Sequence, residues 1–129
     1  MNRRILILFL LISGFVQSQN IQSQISGEWF SCNTRVFNVG DTVFLQRDSC
    51  IINYEHNGSN FSIQVIFEFS NDHFSIYKNS GVIAGGTYFN YWNIINDSMI
   101  YIGFDENDIH EEYQILVLES NKMTLIKKK

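Results

Sequence analysis

The sequence predicts an all-β fold: a single antiparallel up-and-down barrel of about eight strands. Three observations lead there. Apolar residues recur with a period of two, as in Phe61, Ile63, Val65, Phe67 and Phe69 against Ser62, Gln64, Ile66 and Glu68, the spacing of a strand with one buried face. Eleven Phe, six Tyr and two Trp enrich the chain in strand-favouring side chains. Proline is absent, so turns fall to Gly, Asn, Asp and Ser. Closing such a sheet removes its exposed edges, although an open sandwich would produce much the same alternation.

In chain order, residues 1–18 read as a secretion signal. Asn2-Arg3-Arg4 is a basic start and residues 5–12 are an unbroken apolar run. Val16 and Ser18 suit the positions a signal peptidase reads. The run is well short of the roughly 20 residues that span a bilayer. Residues 19–24 read as a leader without structure, and residues 25–129 as the barrel. The first strands are expected at residues 28–37, 42–46 and 50–54. Asn57-Gly58 marks a tight hairpin, followed by the long strand 61–69. Asn71-Asp72 turns the chain into residues 73–78. Asn79-Ser80-Gly81 and Gly85-Gly86 bracket a flexible connection. A strand over 87–95 is expected to place Tyr88, Trp92 and Ile94 on one face, with Phe89 and Tyr91 on the other. Asn96-Asp97 turns into residues 99–104. Residues 105–112 read as an acidic loop, and residues 113–118 and 123–126 as a closing hairpin. A barrel of this size is just wide enough for side chains or one small ligand.

Charge and cysteine content narrow the function classes. The chain carries 9 basic and 13 acidic residues, a net charge of −4; without Arg3 and Arg4 of the leader it falls to about −6. Neither nucleic acid nor an anionic membrane surface suits that balance, and no later segment suggests membrane insertion. The basic end, Lys127-Lys128-Lys129, reads as a solvated tail. Cys32 and Cys50 are the two cysteines. In an oxidising compartment, secreted or periplasmic, such a pair is expected to form a disulfide.

The opening Ile25-Ser26-Gly27-Glu28-Trp29-Phe30 resembles the Gly-x-Trp start of lipocalins. Gly86 to Trp92, running through Asn96-Asp97-Ser98 into Met99 to Ile102, is similar to the middle hairpin of small bacterial lipocalin-like proteins. Glu112 to Leu118 with Asn121 to Ile126 resembles their closing hairpin. The resemblance covers most of residues 25–129. It implies an eight-stranded barrel, without catalysis, that holds a small hydrophobic molecule or has no known ligand. The chain departs from larger lipocalins in its length and in lacking a recognisable C-terminal helix. The resemblance gives Trp29 the role of a plug across the closed end, with Gly27 letting the backbone turn beneath it.

Little else suggests chemistry. His56, His73 and His110 have no metal-ligand spacing. Asp105, Asn107 and Asp108 offer oxygens to a calcium ion, but the order of an EF-hand loop is broken. No Gly-x-Ser-x-Gly elbow or phosphate loop is present, so neither an enzyme nor a cofactor or metal is expected. The aromatic residues Phe30, Phe67, Tyr88 and Trp92 are the candidate lining of an apolar pocket, although ordinary core packing would use them equally well.

Two readings follow. One is a secreted, monomeric barrel that binds or sequesters a small hydrophobic ligand. The other is a protein-interaction module. Residues 54–65, with Gly58 and Phe61, and Ser80-Gly81 ahead of Tyr91-Trp92, resemble the secreted barrel inhibitors of C-type lysozyme. His56 stands where those proteins carry a Cys, and Asn93 where they carry a Lys. A purely structural envelope domain is a third possibility.

Overall fold

The computed structural model describes residues 21–33, 37–79 and 84–129. The expected signal, residues 1–18, lies outside them. Ten strands are described: β1 Gly27–Ser31, β2 Thr42–Gln46, β3 Ile52–His56, β4 Ser59–Phe69, β5 Phe74–Asn79, β6 Ala84–Phe89, β7 Tyr91–Ile95, β8 Met99–Asp105, β9 Asp108–Leu118 and β10 Lys122–Lys127. All pairings are antiparallel, and the sheet runs β6-β5-β4-β1-β2-β10-β9-β8-β7. Its two ends, β6 and β7, are separated in sequence only by the bend at Asn90. The sheet is thus a nearly closed barrel whose ends are joined through the chain itself. β3 lies off this path and pairs with the first half of β4.

The inward faces meet in one core. Trp29, Val43, Val65, Phe67, Phe69, Phe74, Ile100, Ile102, Met123 and Leu125 are each 0 % exposed. The rings interlock at angles that suit the aromatic quadrupole: Phe67 meets Phe37 edge-on at 5.2 Å, and Phe69 meets Phe74 at 4.8 Å. These side chains pack against one another out of reach of water.

Three local expectations change. The leader does not stay unstructured up to Gln24: residues 21–25 form a helical turn. Its carbonyls have partners, since Ser26 N–H donates to Gln22 O at 3.1 Å and Trp29 Nε1 to Ile25 O at 2.7 Å. Ile25 is 0 % exposed and anchors the turn. The expected strand over 87–95 is split, because the bend at Asn90 breaks the alternation. The expected acidic loop is mostly strand, since β9 begins at Asp108 and only Glu106-Asn107 turn. Its charges find partners there: Glu111 accepts from the Tyr113 hydroxyl at 2.9 Å and lies 3.5 Å from Lys127 Nζ.

Candidate functional site

Alternation along each strand places the expected lining residues. On β1, Trp29 points inward, so Phe30 points outward and pairs with Ile66 across the sheet, 9 % exposed. On β6, Phe89 is the inward residue at 7 % exposure, so Tyr88 stands outside at 57 %. The bend at Asn90 resets the phase, which brings Trp92 back to the interior at 6 %. Phe67 sits at the centre between Phe37 and Tyr113. Phe67 and Trp92 therefore belong to a packed core, and Phe30 and Tyr88 do not face it.

Gly27 and Trp29 sit where the helical turn joins the barrel. Gly27 has φ +104°, a conformation other residues rarely adopt. The Arg47 guanidinium lies 3.7 Å from the centre of the Trp29 ring, a cation–π contact. It also donates to the carbonyls of Gln24 at 2.6 Å, Ser26 at 3.0 Å and Glu28 at 3.0 Å. Burial lowers the Arg47 pKa from its usual value. No sequence motif pointed to Arg47, because its partners are backbone carbonyls some twenty residues away.

One element reaches beyond the core, with Ile52, Ile63 and Tyr54 at its root packed in or against it. The β3–β4 hairpin is rooted by Ile52 and its partner Ile63, both 9 % exposed. Beyond them Asn53 and residues 55–62 are exposed, with Tyr54 partly buried. Asn57 and Gly58 close the arm with φ of +52° and +75°, the two positive values of a type I′ hairpin turn. Tyr54 and Phe61 face each other across the ladder and stack at 5.5 Å. Ser62 Oγ donates to Asn53 Oδ1 at 2.6 Å on the next rung. An open groove of about 440 Å³ is lined by Asn53, Tyr54, Glu55, Asn60, Phe61 and Ser62. The disulfide fixes the base. Cys50 lies two residues before β3 and Cys32 directly follows β1; their Cα atoms are 5.4 Å apart, as a bridge requires. A free hairpin is only marginally stable in water, so the stack, the rung and the bridge hold an exposed arm in one shape.

A polar cluster occupies the outer face near the β4–β5 turn. His73 Nε2 lies 2.9 Å from Glu68 Oε1 and Nδ1 2.8 Å from Asp72 Oδ1. The ring stacks on Tyr88 at 5.1 Å. The hydrogen bond to Asp72, then that to Glu68, raises the His73 pKa above its usual value. Next to it, burial and the hydrogen bond to Glu28 push the Tyr77 hydroxyl up to about 12. Deeper in, burial and then Glu111 raise the pKa of Tyr113. Among the described residues no group of three or more His, Cys, Asp or Glu is arranged to hold a metal ion.

The His73 cluster sets a pH prediction. A folded pKa above the unfolded value, near 6.5, means that the protonated ring stabilises the fold. That contribution is complete below about pH 6.5 and is lost as pH rises through the folded value. An NMR titration of the His73 ring should give a midpoint above the usual histidine value of about 6.5, and Asp72→Asn should lower it. A His73 midpoint at or below about 6.5, the usual histidine value, would count against the cluster.

Compared with protein-family models, with curated proteins and with solved structures, the chain matches none.

Proposed function

We propose that this protein is an extracytoplasmic protein-binding module that presents the β3–β4 arm to a partner. The supporting observation is a contrast in exposure: Phe67, at the heart of the barrel, is 0 % exposed, whereas Phe61 on the arm is 43 % exposed. A carrier of small hydrophobic molecules needs the opposite, an inner wall that solvent or ligand can reach. An exposed aromatic on a rigid hairpin loses little conformational freedom when it enters a partner's cleft, which favours tight binding. The disulfide at the arm's root suits an oxidising compartment. With a net charge of −4, the favoured partner is basic, since opposite charges speed encounter. An inhibitor of a basic hydrolase such as a lysozyme is one form of such a module.

The test is direct binding to C-type lysozyme and to a panel of other basic secreted enzymes. Phe61→Ala is expected to weaken the interaction by about 30-fold, the effect of an aromatic hot spot worth about 2 kcal/mol. Because Phe61 lies outside the buried core, the melting temperature should fall only by the few degrees that loss of the Tyr54 stack, about 1 kcal/mol, represents. A small-molecule adduct retained in native mass spectrometry, or binding indifferent to Phe61→Ala, would overturn the proposal.

A further inference from the structure

A second groove, remote in sequence from the arm, lies where the bend at Asn90 meets the β4–β5 turn. It has a volume of about 280 Å³ and is lined by Asn71, Asp72, Asn90, Tyr91, Trp92 and Asn93. Several of these groups are held before any ligand arrives. Trp92 Nε1 donates to the Ser70 carbonyl. The Asp72 carboxylate, 87 % exposed, is held by His73 Nδ1 at 2.8 Å. Asn93 Oδ1 accepts the Ile94 N–H at 2.9 Å, which leaves the Asn93 amino group to donate. Because Trp92 points inward, Tyr91 and Asn93 stand two residues apart on the outer face of β7. Opposite Tyr91 across the ladder is Gly103, which brings no side chain to cover the ring.

The chemistry of the lining narrows the ligand. No Lys or Arg is present to take a phosphate or carboxylate, and one carboxylate is too few for a divalent cation. Amides that both donate and accept, beside an aromatic ring, suit a ligand with many hydroxyls and an apolar C–H face. A peptide adding as a strand to β7 would need its free N–H groups, and that of Ile94 is already taken by Asn93. The volume is near the lower end of small-molecule pockets, roughly 300–1,000 Å³, enough for one or two sugar rings. We propose that this groove binds a neutral saccharide through the Asn71, Asn90 and Asn93 amides and the Asp72 carboxylate, with a sugar ring against Tyr91. This proposal is independent of the arm.

The experiment is an NMR titration of the whole chain with cellobiose and with N,N′-diacetylchitobiose. The side-chain amide signals of Asn71, Asn90 and Asn93 should shift and saturate with at least one disaccharide. Tyr91→Ala should weaken that binding about tenfold, the size of one aromatic contact. Asp72→Ala, at an exposed turn, gives a second variant expected to fold normally and to bind more weakly. Phe61→Ala should leave saccharide binding unchanged. The proposal is overturned if neither disaccharide produces saturating shifts. It is equally overturned if Asp72→Ala binds as tightly as the parent, or if an unstructured peptide shifts these signals and the sugars do not.

Discussion

Phe67→Ala is expected to cost about 3–5 kcal/mol of folding stability, the usual result of emptying a filled aromatic site. Phe67 is fully buried and its ring touches those of Phe37, Phe74 and Tyr113 from three sides. Neighbours on a hydrogen-bonded sheet cannot collapse far into the space it leaves. The melting temperature should fall by more than about 10 °C, and chemical denaturation should show a lower midpoint with the slope little changed. The same substitution separates the two readings of function. In an open carrier, Phe67 would be a half-exposed wall and its loss would cost little stability while weakening ligand uptake. A Phe67→Ala protein as stable as the parent would therefore remove the main support for the arm as the working surface.

Breaking the disulfide should have the next largest effect. The bridge closes a loop with a sequence separation of 18 residues, and opening it in the Cys32→Ala/Cys50→Ala protein should cost about 3 kcal/mol in the chain-entropy model. The consequence should be uneven. β4 remains paired with β1 and β5 through Val65 to Phe69, so the barrel keeps its ladder. The arm loses its covalent root and keeps only its own rungs. Hydrogen exchange should accelerate most in residues 52–63 and least in β9 and β10. Partner binding should weaken even where the barrel is still folded. Uniform acceleration across all strands, or an arm as protected as before, would show that the bridge does not govern the arm.

Some of this structure is legible in the chain. The period-two pattern around Phe61 to Phe69 places β4, because a one-residue slip would turn its whole apolar set outward. Asn57-Gly58 places the tip of the arm, because both residues accept the positive φ that a two-residue turn demands. The cysteines suggest a pair by number alone. The candidate site is less legible. Tyr88 and Phe89 are adjacent aromatics, and either could have been the inward one. The bend at Asn90 decides it, and a bend between two apolar stretches leaves no trace in alternation counted across it. The charges of residues 105–112 hide the strand they form, because Glu111 satisfies itself on Tyr113 and Lys127 rather than on water.

The sequence by itself determined the all-β class, most strand positions and the tight turns, which depend on neighbours along the chain, and it suggested the cysteine pair by number alone. Only the tertiary structure decided the inward face where both faces of a strand are apolar, that Phe67 and Trp92 fill the barrel while Tyr88 stands outside it, and that β3 leaves the main path of the sheet as an arm. It also decided that Arg47 covers Trp29. Those outcomes depend on which strands lie side by side, and on the space left when side chains from distant positions meet. A strand's own spacing specifies its two faces but not which of them the rest of the chain will cover.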